Sequence, residues 1–143
     1  MSDAQPSRRG LPPQRGLLDT SVFIALEQGR PIDHGALPLE HYVSAITRGE
    51  LLAGVHAATT AEVRAVRLAT VEELAGVATL PADARAATHW AILRNAAAAS
   101  GRRVNVNDLW IAAIALAHEL PVVTQDGDFD AIAELSSLEV IAV

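Results

Sequence analysis

The sequence contains no cysteine and no lysine among its 143 residues. The absence of cysteine excludes disulfides, thiolate zinc sites and a cysteine nucleophile, and it suits a reducing compartment. Without lysine, all 11 strongly basic residues are arginines. The planar guanidinium group of arginine favours bidentate contacts to phosphate, although a general bias toward alanine, glycine and arginine explains the composition equally well.

Aromatic residues make up only 3% of the chain, and long apolar runs are absent. The core must therefore consist mostly of alanine, leucine, valine and isoleucine, which favours closely packed helices. No apolar run approaches the roughly 20 residues that cross a bilayer, and the first residues lack the apolar segment of a secretory signal. We therefore expect a cytoplasmic protein with no membrane partner.

The net charge of −6 argues against a broad electrostatic wrap around nucleic acid, which normally uses a basic face. How the charges are distributed matters more than their sum. A nucleic-acid substrate is therefore still compatible with this chain, provided that basic residues lie close to the reacting phosphate.

The order of the segments indicates one α/β domain after a short arm. Residues 1–15 carry three prolines and three arginines without apolar periodicity, which is typical of a flexible arm. Residues 16–143 alternate strand and helix patterns without an internal repeat. This alternation predicts an α/β sandwich with a mainly parallel central sheet of four or five strands.

Four acidic residues stand at junctions between the predicted elements. Asp19 follows the first strand, Glu50 and Asp108 lie at the starts of helices, and Asp126 follows a late strand. Ligands of parallel α/β sheets bind outside the carboxyl ends of the strands, so we expect Asp19 and Asp126 to lie there. Two carboxylates about 4 Å apart repel by roughly 4 kcal/mol at an effective dielectric constant of 20, and a bound cation removes that cost.

An all-carboxylate site favours a hard divalent cation, chiefly Mg²⁺, with Mn²⁺ as a possible substitute. Such a cation activates water and neutralises charge on a phosphate, so that phosphodiester hydrolysis needs no protein nucleophile. The expected products carry 3′-hydroxyl and 5′-phosphate ends.

Each acid also has a purely structural interpretation. In the segment TRGE, Glu50 fits the last position of a capping box. Asp108 would stabilise the dipole of its helix, Asp19 would cap the helix that follows it, and Asp126 would form a turn. The joint occurrence of four acids at element ends favours chemistry over four separate structural roles.

Several neighbouring residues are candidates to support the four acids. Three hydroxyls beside the acids could hold a water, a phosphate oxygen or a carboxylate, or could cap helix and strand ends: Thr20, Ser21 and Thr124. Asp128 is an alternative or an assistant to Asp126, or a cap for the next helix. Two arginines in the loop before Asp108 are candidate contacts for substrate phosphates, or a solvated surface pair: Arg102 and Arg103.

Three segments in order resemble the PIN-domain family, and specifically the VapC toxins of type II toxin–antitoxin systems: LLDTSVFIAL, VSAITRGELLAGV and VNVNDLWIAAIALAHELPVVTQDGDFDAI. The resemblance spans residues 16–142. It implies a three-layer α/β/α sandwich with the first and fourth strands side by side. It also implies that Asp19 and Asp108 are the principal metal ligands and that Glu50 and Asp126 complete the acidic pocket.

The same resemblance makes Ser21 and Thr124 supporting hydroxyls and implies a function. VapC-like proteins are metal-dependent endoribonucleases that cut structured RNA, commonly tRNA or rRNA, and thereby inhibit translation. The family usually forms homodimers, for which Trp110 and the apolar helices are candidate contact surfaces. A VapB-like antitoxin silences the toxin by laying its tail across the active-site groove.

Two other classes of function compete with this interpretation. Phosphotransfer through an aspartyl phosphate ordinarily uses a lysine, which this chain lacks, and neither glycine pattern of nucleotide-binding folds is present. A catalytically inert PIN-like module that only binds a partner or RNA is the remaining alternative. The presence of all four acids argues against that alternative, and Asp108→Asn distinguishes the two.

Overall fold

The computed structural model describes residues 11–143, which form one five-stranded sheet with six α-helices packed against it. The strands are β1 (Arg15–Leu18), β2 (Glu40–Ser44), β3 (Ala78–Leu80), β4 (Val122–Thr124) and β5 (Val140–Ala142). Every neighbouring pair is parallel, in the order β3-β2-β1-β4-β5. The predicted parallel sheet is confirmed, and β1 and β4 lie side by side as expected.

The helices follow the strands in the predicted alternation. They are α1 (Thr20–Glu27), α2 (Ala45–Ala57), α3 (Ala61–Glu72), α4 (Ala84–Ala99), α5 (Val106–Ala117) and α6 (Asp130–Glu134), with short 3₁₀ turns at His34–Ala36 and Glu73–Gly76. Gly29 and Gly101 follow α1 and α4 with φ of 67° and 70°, the left-handed conformation that ends many helices. Within residues 11–143, no helix combines the length and apolarity needed to cross a membrane.

Successive residues of the central strands point to opposite faces of the sheet and so build two hydrophobic cores. Leu17 of β1 and Val122 of β4 pack into one core, together with Leu93 of α4 and Ile111 of α5. The next residue of each strand, Leu18 and Val123, packs into the other core, whose helical members come from α1 and α2: Val22, Phe23 and Leu51. Helices therefore cover both faces, which is the expected three-layer arrangement.

The chain just before β1 already runs beside β2. The backbone carbonyls of Pro13 and Gln14 accept hydrogen bonds from the amides of Leu39 and Glu40 at 3.1 and 3.0 Å. The predicted arm spans residues 1–15, and its first ten residues lie outside the described residues, so the arm stays a prediction.

Three helices begin at the edge of the sheet where β1 and β4 end. Asp19 caps α1, Ser44 caps α2 and Asn105 caps α5, each with a side-chain oxygen that accepts a backbone N–H of the first turn. The amide of Asp19 also donates to the carbonyl of Val123 at 2.9 Å, which fixes the exit of β1 beside β4. Helix starts and strand ends thus converge on one region.

Candidate active site

A cleft of about 230 Å³ opens where β1 and β4 end. Carboxyl groups from four parts of the chain line it: Asp19, Glu50, Asp108, Asp126 and Asp128. Thr20, Ser21 and Ile24 of α1 and the α5 cap Asn105 complete the lining. The structure therefore brings all four predicted acids together.

Asp19 is the most firmly held of these acids. Its Oδ2 accepts hydrogen bonds from the Ser21 hydroxyl at 2.7 Å and the Thr124 hydroxyl at 3.0 Å. The backbone amide of Ser21 also donates to Oδ2, at 3.4 Å. Burial raises the pKa of Asp19, and the hydrogen bonds from Ser21 and Thr124 partly offset that rise. Asp19 is thus both a helix cap and a cleft residue, so the structural and the chemical interpretations of Asp19 are compatible.

The hydroxyls of Ser21 and Thr124 join the ends of β1 and β4. Their oxygens lie 3.1 Å apart. The Ser21 oxygen also accepts the amide of Gln125 at 3.0 Å, and the Thr124 oxygen accepts the amide of Asp126 at 3.3 Å. These bonds leave Asp19 few alternative rotamers and place Asp126 at the rim of the same cleft.

Asp126 and Asp128 form the exposed rim of the cleft. The Oδ1 atom of Asp126 accepts the amide of Asp128 at 3.3 Å, so Asp126 does form the turn that the sequence allows. Asp128 does not cap the following helix, because Phe129 occupies the N-cap position of α6 and makes no side-chain capping bond. The side chains of Asp126 and Asp128 both line the cleft.

Glu50 contacts α1 instead of capping its own helix. The capping-box interpretation is wrong, because α2 begins at Ala45 and its cap is Ser44, whose hydroxyl accepts the amide of Thr47 at 3.0 Å. Glu50 lies in the next turn, and its Oε1 atom accepts the Thr20 hydroxyl at 2.9 Å. This bond joins α2 to the start of α1 at the cleft.

Asp108 lies in the first turn of α5 and is half-buried. Burial, followed by the charges of Asp19, Asp128, Asp126 and Glu50, raises the pKa of Asp108 to about 7. A carboxyl group with this pKa is about half protonated at pH 7 in the absence of a cation. The predicted repulsion among the acids therefore acts on Asp108, whose pKa is raised by the charges of all four other acids in the cleft.

The sequence pattern places Asp108 at the start of this helix but does not identify Asn105 as its cap. The side chain of Asn105 caps α5 by accepting the amides of Asn107 and Asp108 at 2.8 and 3.3 Å. Asparagine is among the residues most favoured at helix N-caps, and this preference was the available signal.

The two candidate phosphate-binding arginines differ in their surroundings. Arg102 forms an ion pair with Glu134, and both side chains are exposed. Arg103 is also exposed, and it has no ion-pair partner among residues 11–143. Neither arginine lines the cleft, and of the two only Arg103 lacks an acidic partner within the described residues.

The carboxyl groups suit an open, hydrated cation. Within the described residues, no three acidic or histidine side chains approach closely enough to surround an ion as they stand. Mg²⁺ keeps several of its water ligands and commonly binds proteins through one or two carboxylates, so it does not require a closed cage. The donor set of the cleft fits such a cation.

A protein-family model described as the PIN domain matches residues 16–135. The chain belongs to the PIN-domain family. This PIN domain is 52% identical over 131 residues to Ribonuclease VapC5 of Mycobacterium tuberculosis (strain ATCC 25618 / H37Rv), covering 92% of this chain and 97% of that protein. Ribonuclease VapC4 of the same organism is 38% identical over 130 residues, covering 91% and 98%. The predicted resemblance is confirmed.

The fold of this PIN domain also matches solved structures. A crystal structure of VapBC-5 from Mycobacterium tuberculosis, a member of the VapBC family of toxin–antitoxin systems, matches with a TM-score of 0.85 and 50% sequence identity. The match covers 92% of this chain and 100% of the other. It confirms the expected three-layer PIN fold.

Proposed function

We propose that this PIN domain is a metal-dependent endoribonuclease toxin of the VapC type, which hydrolyses phosphodiester bonds in structured RNA and so inhibits translation. One observation carries the proposal: Asp19, Glu50, Asp108 and Asp126 line a single cleft where β1 and β4 end. The similarity to two proteins named as ribonucleases supports it.

The residues of the cleft have distinct roles in this proposal. When bound, a divalent cation supplies a Lewis acid for the scissile phosphate and an activated water for attack. The hydrogen bonds to Asp19 described above all go to Oδ2, and its Oδ1 atom is available to a ligand. Asp19 and Asp108 would hold this cation, whose positive charge would offset the carboxylate charges that, together with burial, raise the pKa of Asp108. Mg²⁺ is the proposed cation, and Mn²⁺ the substitute.

Removal of the metal tests the proposed activity directly. Cellular RNA incubated with the protein in Mg²⁺ is expected to show discrete new 5′-phosphate ends in tRNA or rRNA, which end sequencing maps. The same incubation in EDTA is expected to show none of these ends. Metal binding without any new ends would support the inert binding module instead.

We place the RNA phosphate contact at Arg103 and not at Arg102, because only Arg102 is paired with an acid. Arg103→Ala is expected to raise the KM for RNA by up to about fivefold with little change in kcat, since an exposed charge contact contributes up to about 1 kcal/mol. The matched control is Arg102→Ala, which loses an exposed pair with Glu134 and should leave KM unchanged. Equal KM values for the two variants would contradict this assignment.

The proposed partner is a VapB-like antitoxin that covers the cleft. A second groove, of about 300 Å³, shares Thr20, Ile24 and Glu50 with the cleft and continues past Leu51 to Arg67. The matched solved structure belongs to a toxin–antitoxin system, which supports such a partner. A saturating amount of the cognate antitoxin should remove the new RNA ends in the end-sequencing experiment. Intact cleavage in the complex would contradict the proposal that the antitoxin covers the cleft.

The second proposed partner is another copy of the chain. On α4 and α5, Trp90 and Trp110 stack with ring centroids 5.1 Å apart and pack against the core. Ile92 of α4 is 63% exposed and offers an apolar contact for a second copy. Light scattering on the purified protein would test the homodimer, and a monomer at high concentration would exclude it.

A further inference from the structure

Behind Glu50 lies a chain of three hydroxyl groups. The Thr20 oxygen is 2.9 Å from Oε1 of Glu50 and 3.1 Å from the hydroxyl oxygen of Thr47. The Thr47 oxygen in turn lies 3.4 Å from the hydroxyl of Ser44. Ser44 and Thr47 are fully buried, although neither lines the cleft. Buried hydroxyls need hydrogen-bond partners, and here each finds its partner in the next.

Counting hydrogens shows which hydroxyl donates at each contact in this series of hydroxyl groups. A hydroxyl has one hydrogen and two lone pairs, whereas a carboxylate only accepts. The single hydrogen of Thr20 therefore goes to Glu50, where the bond to a charged acceptor is the stronger one. Taken alone, the geometry of the contact between Thr20 and Thr47 favours Thr20 as the donor. Because Thr20 has one hydrogen and gives it to the charged Glu50, Thr47 must donate across this contact. By the same argument Ser44 donates to Thr47, and the Ser44 oxygen accepts the backbone amide of Thr47 at 3.0 Å.

The position of Thr47 in its helix frees its hydrogen for this purpose. Threonines inside helices commonly donate to the carbonyl four residues earlier, as Thr88 does here to Ala84 at 3.2 Å. Thr47 lies in the first turn of α2, so the residue four positions earlier belongs to β2 and not to the helix. Its described side-chain bonds go only to Thr20 and Ser44.

We propose that Thr47 is a positioning residue for Glu50: its hydroxyl orients Thr20, and Thr20 holds the Glu50 carboxylate toward the cation in the cleft. The inference rests on the proposed function and adds a residue to it. Without the Thr47 hydroxyl, the Thr20 hydrogen can rotate away from Glu50, whose carboxylate then samples several rotamers in a partly exposed cleft.

Calorimetric titration with Mn²⁺ alone measures this effect without RNA. Loss of a group that orients a metal ligand typically weakens metal binding by about tenfold or more. Thr47→Val, which keeps the shape of the side chain, is therefore expected to weaken Mn²⁺ binding about tenfold, and Thr47→Ser to restore most of it. The matched control is Thr70→Val, because Thr70 is another buried threonine that donates to a glutamate, Glu27, at 3.1 Å. The Mn²⁺ affinity of Thr70→Val should equal that of the native chain.

A double-mutant cycle separates positioning from a general loss of structure. If Thr47 acts through Glu50, Thr47→Val should cause no further loss of Mn²⁺ affinity in a Glu50→Gln background. An equal loss in both backgrounds, or no loss in the native one, would overturn the proposal while leaving the metal site intact. Absence of Mn²⁺ binding by the native chain would instead overturn the metal site and this proposal together.

Ser44→Ala provides a second test if Thr47→Val does not fold. Ser44→Ala removes only the hydroxyl farthest from Glu50 and leaves the hydroxyls of Thr47 and Thr20 in place. Its loss of Mn²⁺ affinity should be smaller than that of Thr47→Val and should also vanish in the Glu50→Gln background. A loss that persists in that background would overturn the proposal.

Discussion

Asp108→Asn is expected to lower RNA cleavage by on the order of 10³-fold while preserving the fold. The amide keeps the size of the side chain but removes the charge that a cation needs at the centre of the cleft. Because Asp108 is the acid on which the repulsion of the others converges, the metal-free variant should unfold at a temperature at least as high as the native chain. Cleavage assays in Mg²⁺ and thermal melts in EDTA measure the two effects.

Asp130→Asn is the matched control for this experiment. Asp130 occupies the first turn of α6 as Asp108 occupies the first turn of α5, but it does not line the cleft. The control should cleave RNA at the native rate. Native cleavage by Asp108→Asn itself would rule out the proposed metal site.

The stability of the metal-free protein is expected to depend on pH through Asp108. The pKa of Asp108 is about 7 in the folded chain, against 3.8 for an unperturbed aspartate. Because the folded state holds this proton more tightly than the unfolded state, the contribution is fully present below about pH 4 and is lost as the pH rises through about 7. The pKa of Asp19 is also raised by burial, so its contribution has the same sign.

Comparison with Asp108→Asn isolates this contribution from those of other groups. Asparagine resembles the protonated acid, so in EDTA the variant and the native chain should melt at similar temperatures at pH 4. By pH 8 the variant should be the more stable of the two. Mg²⁺ should reverse the order at pH 8, because it binds the native carboxylate. A melting difference that does not change with pH would contradict the raised pKa.

The sequence predicts the sheet and the four acids well, because these depend on local patterns. The apolar segment before Asp19 and the alternation of strands and helices are visible in the chain itself. The first residues of α2 and α5 do not follow from the apolar pattern, since Ser44 and Asn105 cap these helices from positions before that pattern begins. Local periodicity locates a helix, whereas the cap locates its first residue.

Contacts between distant segments were beyond what the sequence could predict. The ion pair of Arg102 with Glu134 and the bond of Thr20 to Thr47 each join two separate elements. Neither contact follows from residue spacing, because the packing of helices decides which side chains meet. The sequence therefore identified the acids, while the structure identified the groups that hold them.

The pairing of β1 with β4 has a consequence for the synthesis of the protein. Thr124 and Asp19 are joined by a hydrogen bond across 105 positions of sequence, so the acidic centre depends on a contact of very high sequence separation. Contacts of this kind carry a large loop-closure cost and form late in folding. A growing chain therefore lacks a complete centre until β4 has been translated and has paired with β1. On the proposed mechanism, the ribosome that makes this protein, and the RNA around it, is not cleaved by the nascent chain before β4 has been translated and has joined β1.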